Sequence, residues 1–181
     1  MLSLGVIAGL MVFNLNAIVK GVYPAYYQAI LPTAFQDRAV EPAGELYGKI
    51  TYGQTFVAHY RNLYRIDVMM ATYGRENHLP VIFHLRRGLP EEVNQDIVTL
   101  KVQAPAIADD AYHSFVFPAI PDSQGQKFYF YFESPRSMPG DAFTFWATPD
   151  NVYLEGTRTV NHQPVPGDLC FVAYSDLGAT Q

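Results

Sequence analysis

Residues Lys127 to Pro135 read KFYFYFESP, and the reading of this stretch decides the fold. Side chains alternate faces along an extended chain. Phe128, Phe130 and Phe132 therefore share one face, and Lys127, Tyr129, Tyr131 and Glu133 share the other. Three phenyl rings on one face demand a core to pack against. The tyrosine face is open to three readings: a second buried layer, a wet wall, or a surface on which something flat, such as a sugar ring, stacks.

Outward from this strand the same period recurs. Short β patterns are expected over residues 46–51, 55–60, 63–72, 80–86, 97–103, 113–117, 127–133, 142–148, 152–156 and 168–174. In DIVTLKVQ the alternation is cleanest, with Val98, Leu100 and Val102 inward and Thr99, Lys101 and Gln103 outward. The intervening TYGQ, YGRENHLP, RGLPEE, PDSQG, SPRSMPGD and NHQPVPGD are rich in Gly, Pro, Asn or Asp, the chemistry of turns. Helical periodicity and βαβ alternation are both missing after the N-terminus, which argues against a parallel nucleotide-binding sheet. The expected fold is mainly β: an antiparallel β-sandwich of the jelly-roll kind over residues 46–177, preceded by one N-terminal hydrophobic helix.

The first residues are a different material. MLSLGVIAGLMVFNLNAIV, residues 1–19, carries no charged side chain and as a helix reaches roughly 28 Å, close to the thickness of a bilayer's hydrocarbon core. Lys20 ends the run, and Tyr23, Tyr26 and Tyr27 follow at the depth where interfacial aromatics collect. A cleaved signal peptide would carry a basic start and a small-residue cleavage site, and neither is seen before Gly44. Beside a cleaved or globular fate, two readings lead for residues 1–33: a membrane anchor, or a helix that packs with partner subunits or copies of itself, where Asn14 and Asn16 would be at home. Leu4, Ile7, Leu10, Met11, Asn14 and Asn16 are its candidate membrane or partner contacts. Residues 34–45, AFQDRAVEPAGE, are polar and read as a linker. An anchor of this kind places the following domain outside the cytoplasm.

Composition narrows the function. A chain of 181 residues with 49% hydrophobic and 16% charged side chains supports one ordinary core. The 12 Lys and Arg are scattered against 17 Asp and Glu, for a net charge of -5. That balance argues against a nucleic-acid partner, which needs concentrated cations. The single cysteine, Cys170, excludes an internal disulfide and any CxxC site, and in DLCFVAY it reads as a buried thiol.

The succession GQTFVAHYRNLYRIDVMMATYG, VIFHLRRG, FVFPAIPDSQGQKFYFYFESP and GDLCFVAY resembles the jelly-roll, carbohydrate-binding-module-like domains attached to bacterial membrane proteins, some envelope glycosyltransferases among them. The likeness covers Gly53 to Tyr174 and is strongest from Phe115 to Pro135. It is carried by strands and turns and by no catalytic residue. Such domains are usually appended to a larger multi-span protein, whereas this chain has at most one span, which favours an accessory or subunit role.

Chemistry-bearing motifs are missing. The sequence has no GxSxG elbow, no HExxH helix and no GxxxxGK[ST] loop, so no catalytic residue is assigned and the chain is read as a non-enzyme. His59, His78, His84, His113 and His162 fall one per segment and suggest no metal site. Most acids, including Asp109, Asp110, Asp122, Asp141, Asp150 and Asp168, sit in turns. A calcium ion held by such turn oxygens would be structural, and no other cofactor is expected. In FTFWATP, Phe143, Phe145 and Ala147 take the core face and leave Trp146 between Thr144 and Thr148 on the other. Trp146, Tyr129 and Tyr131 are thus the candidate ligand platform, for a glycan or for protein, if their strands are neighbours. The expectation for function is a membrane-associated, non-catalytic accessory or structural subunit; the alternative is a membrane-anchored carbohydrate-binding module.

Overall fold

The computed structural model describes residues 30–92 and 95–178. Thirteen strands follow in chain order: β1 Ile30–Gln36, β2 Glu41–Pro42, β3 Tyr52–Val57, β4 Leu63–Ala71, β5 Val81–Arg87, β6 Val98–Val102, β7 Ala111–Ile120, β8 Lys127–Glu133, β9 Thr144–Thr148, β10 Arg158–Val160, β11 Gln163–Val165, β12 Asp168–Leu169 and β13 Phe171–Asp176. The first sheet runs β1-β13-β4-β9-β12, with β2 beside β9 and β7 beside β4; the second runs β11-β10-β3-β8-β5-β6. Every pairing is antiparallel. The chain is therefore mainly β, in two antiparallel sheets.

The sheets share one core. Phe128, Phe130 and Phe132 of β8, Phe83 and Leu85 of β5 and Phe56 of β3 face Ile66, Val68 and Met70 of β4, Phe115 of β7, Phe145 of β9 and Phe171 of β13, all fully or almost fully buried. Rings meet across the gap: Phe83 stacks on Phe115 with centroids 4.6 Å apart, and Phe132 on Phe145 at 4.4 Å. Each phenyl withdrawn from water contributes about 2 to 3 kcal/mol, so the phenylalanine face of β8 holds the two layers together in a sandwich-like arrangement.

Several expectations need correction. Residues 34–45 are no free linker, because Ala34 to Gln36 belong to β1, Glu41 and Pro42 pair with Ala147 and Trp146, and Leu46 bridges to Phe143. Polar side chains misled there: β1 and β2 lie at the margins of the first sheet, where one face needs no apolar residues. Ile30 to Thr33, expected in the helix, open β1 instead, paired with β13 through a bulge between Pro32 and Ala34. The rest of the expected helix, with Leu4, Ile7, Leu10, Met11, Asn14 and Asn16, lies outside the described residues. Among the described residues, no helix is long and apolar enough to cross a membrane.

Residues 152–156 are a loop and not a strand. The buried carboxylate of Asp168 accepts hydrogen bonds from the backbone N–H of Val152 (2.8 Å) and Tyr153 (2.9 Å) and from Gln54 Nε2 (3.0 Å), which pins the loop to β3. The hairpin β10–β11 was not expected. Its two-residue turn, Asn161 and His162, has φ of 52° and 64°, the positive pair of a type I′ turn. With His in place of the usual Gly, the turn carries no Asn-Gly signature.

Candidate functional site

The tyrosine face of β8 is the outer face of the second sheet, and the chain itself closes it. On β3 the residue opposite Tyr131 is Gly53. A Cβ there would fall 2.6 Å from Tyr129 Cε2 and 2.6 Å from the Phe130 carbonyl oxygen, so the absence of a side chain lets the Tyr129 ring lie down across β3. The β10–β11 turn then folds His162 over both rings: its centroid is 4.8 Å from that of Tyr131 and its Nδ1 is 2.9 Å from the Tyr129 hydroxyl. Thr159 Oγ1 stands 3.1 Å from the same hydroxyl. Tyr129 is fully buried and Tyr131 is only 5% exposed.

From the other side β5 contributes His84 and Arg86, which alternate outward between Phe83 and Leu85. His84 stacks on Tyr131 at 4.4 Å with planes 5° apart. Arg86 donates from Nη2 to the Tyr131 hydroxyl (2.8 Å) and from Nε to Asp96 Oδ1 (2.6 Å). Asp96 also lies 2.8 Å from His84 Nδ1, and Glu133 3.5 Å from His84 Nε2. Burial by itself would raise the Asp96 carboxyl, but hydrogen bonds from Arg86 and His84 outweigh it and hold the group below its ordinary value. Burial pushes the hydroxyls of Tyr129 and Tyr131 up to about 12. Both stay protonated near neutrality, as donors within a closed network, and neither offers an open ring face.

Trp146 lies on the opposite outer face of the molecule. It projects from β9 in the first sheet, so the core separates it from the two tyrosines and the three cannot form one platform. Its Nε1 donates to Asp110 Oδ1 at 2.8 Å. Thr144 and Thr148 beside it are buried, Thr144 Oγ1 accepting from the Gly44 N–H (3.2 Å) and Thr148 Oγ1 from the Asp150 N–H (3.3 Å).

The outer face of the first sheet is mixed: exposed apolar side chains are set around the Arg65–Asp67 ion pair (3.0 Å) and Ser114 at its middle. Cys170 follows Trp146 across the ladder, its N–H donating to the Trp146 carbonyl (2.8 Å); it is buried, with Sγ 3.1 Å from the Tyr112 hydroxyl. Burial raises that thiol, which makes it a packing residue and not a nucleophile. Met69 pairs with Tyr112. Farther along, Phe35 pairs with Val172, and Val116 with Arg65, whose guanidinium sits 4.0 Å over the Tyr174 ring. Phe35 is 57% exposed, Val116 56% and Tyr112 44%.

His84 and His162 meet at Tyr131, and the other three histidines stand apart from them. His59 pairs with Glu155 (2.7 Å), His78 lies 3.5 Å from Asp141, and His113 packs edge-on against Phe115. Among the described residues, no three His, Cys, Asp or Glu are placed to hold a metal. His84, Arg86, Asp96 and His162 were not singled out from the sequence. The alternation in VIFHLRR marks His84 and Arg86 as outward, but that they meet Tyr131 depends on β5 and β8 being neighbours across more than forty residues of chain. Compared with known protein families and with curated proteins, the chain matches no family model and no curated sequence.

Proposed function

We propose that the protein is a non-catalytic accessory or structural subunit of a membrane-associated assembly, and that it docks on other chains through the outer face of its first sheet. The observation that carries this reading is the exposed set Phe35, Tyr112 and Val116 with Trp146 beside it, on a sheet whose other face is a complete core. Exposed aromatic and aliphatic side chains around an ion pair, here Arg65 and Asp67, have the make-up of protein interfaces, in which Tyr, Trp, Phe and Arg are enriched. The position fits. Ile30 and Leu31, themselves exposed at the start of β1, receive the chain from the uncharged stretch of residues 1–19. A partner standing beside an N-terminal anchor would meet this sheet first.

In this reading the two antiparallel sheets form an extracytoplasmic jelly roll, and residues 1–29 tether it. A second reading, a membrane-anchored carbohydrate-binding module, is favoured by Trp146 alone, whose partly open indole is fixed by Asp110. Tyr129 and Tyr131 lend it no support, being covered by His162, His84 and Arg86. Replacing Phe35 and Val116 by Glu in the full chain separates the two. Loss of co-purifying subunits at an unchanged melting temperature supports the subunit reading. Glycan retention that survives this change and is abolished by Trp146→Ala supports the module.

A further inference from the structure

A cavity of about 270 Å³ opens on the outer side of the second sheet, lined by Pro80, Ile82, Lys101, Ser134, Pro135 and Arg136. It lies where β5 begins and β8 ends. The strand β8 starts beside Ala58 and Ser123, at the end of the molecule where Ile30 enters. The cavity lies on the outer side of the second sheet and the proposed docking face on that of the first, so the core separates the two.

The cavity is built by local rules. Ile82 points outward because Phe83 points into the core, and Lys101 stands opposite it on β6. The buried Ser134 fixes the walls: its Oγ donates to the Pro80 carbonyl (2.7 Å) and lies 2.6 Å from Ser137 Oγ, which ties the turn carrying Pro135 and Arg136 to the start of β5. The site therefore exists before any ligand arrives.

Its lining carries cations and no acid. The protein carries a net charge of -5, and Arg38, Arg65, Arg75, Arg86 and Arg87 each pair with a carboxylate. Lys101 and Arg136, like Lys49, Arg61, Lys127 and Arg158, make no ion pair among the described residues; what sets Lys101 and Arg136 apart is that both line one cavity whose lining holds no Asp or Glu. Glu133, on the same row of the sheet, is directed to His84. Unneutralised cations on a low-dielectric wall concentrate anions. A guanidinium offers two parallel donors to a carboxylate or phosphate, and an ammonium adds a point charge. Pro80, Ile82 and Pro135 supply an apolar surface for the body that carries the anion.

We propose that this cavity binds a compact oxyanion, a carboxylate or a phosphate, borne on a body about one ring in size, with Arg136 and Lys101 as its charge partners. Calorimetric titration of the full chain in mild detergent at low salt tests it, with sodium phosphate, glucuronate and glucose as probes. The expected result is saturable binding of glucuronate or phosphate that weakens as salt rises, with no binding of glucose. Arg136→Met with Lys101→Met should lower the affinity roughly tenfold or more, as loss of charge-assisted hydrogen bonds implies. Both side chains are exposed, so the variant should keep its melting temperature. Tighter binding of glucuronate assigns a ring acid, and tighter binding of phosphate a phosphate ester. Absence of saturable binding of either anion, equal binding of glucose, or affinity unchanged in the variant would overturn the proposal.

Discussion

The hydroxyl of Tyr129 and Nδ1 of His162 lie 2.9 Å apart, which ties the turn between β10 and β11 to the middle of β8. That contact closes the outer face of the second sheet over the two tyrosines, and it leaves the imidazole half-buried.

Burial, reinforced by the charge of Arg86, lowers the proton affinity of His162 below the ordinary 6.5. Burial does the same to His113. A group whose folded pKa lies below its unfolded value stabilises the fold in its deprotonated form. The contribution is complete above about pH 6.5 and is lost as pH falls through the folded values. Melting temperature should thus decline from about pH 6.5 downward, and His162→Asn, which tolerates the positive φ, should make the decline shallower. Asp96 adds a second loss at lower pH, below the ordinary carboxylate range. Circular dichroism melts across this window check the order of events.

Removing the Tyr129 hydroxyl leaves Thr159 Oγ1 and His162 Nδ1 without that partner inside the sheet. Tyr129→Phe should cost about 1 kcal/mol. In Thr159→Val the second change should cost less when Tyr129 is already Phe, because the orphaned hydroxyl goes too. Denaturant unfolding of the two single variants and the double variant measures this coupling.

Gly53 and Gly156 hold close approaches of main chain. A Cβ on Gly156 would lie 1.8 Å from the Thr55 carbonyl oxygen, and one on Gly53 2.6 Å from that of Phe130. Alanine at either position should destabilise by about 1 to 3 kcal/mol or more, since backbone must move. Gly156→Ala should be the worse of the two in a thermal melt, having the shorter contact.

Asp168 is fully buried and accepts from two backbone N–H groups and one amide. Asp168→Ala strands all three donors. A loss of roughly 3 kcal/mol is expected, at about 1 kcal/mol or more for each stranded donor. The signature is local: amide hydrogen exchange at Val152 and Tyr153 should accelerate beyond what the global loss explains.

The sequence disclosed what depends on neighbours along the chain and concealed what depends on neighbours across it. Alternation in KFYFYFE assigns the inward Phe128, Phe130 and Phe132 correctly, because one strand is enough to define two faces. Whether Tyr129 and Tyr131 are open depends on Gly53, Arg86 and the Asn161–His162 turn, none of which is near them in sequence. Trp146 faces away from the core, as alternation in FTFWATP implies, but its flanking Thr144 and Thr148 are buried, with partners at Gly44 and Asp150. Residues 34–45 looked like linker because marginal strands need no apolar repeat. The exposed set Phe35, Tyr112 and Val116 comes from two separate strands that only the sheet order brings onto one face.

The central claim, that the outer face of the first sheet is a protein contact surface, is tested most directly by extraction of the full chain from its native cells in mild detergent, followed by sizing and identification of co-eluting chains. The expected result is a defined complex that is lost in the Phe35→Glu, Val116→Glu variant while the melting temperature holds. A chain that elutes alone, or a complex indifferent to both substitutions, would contradict it.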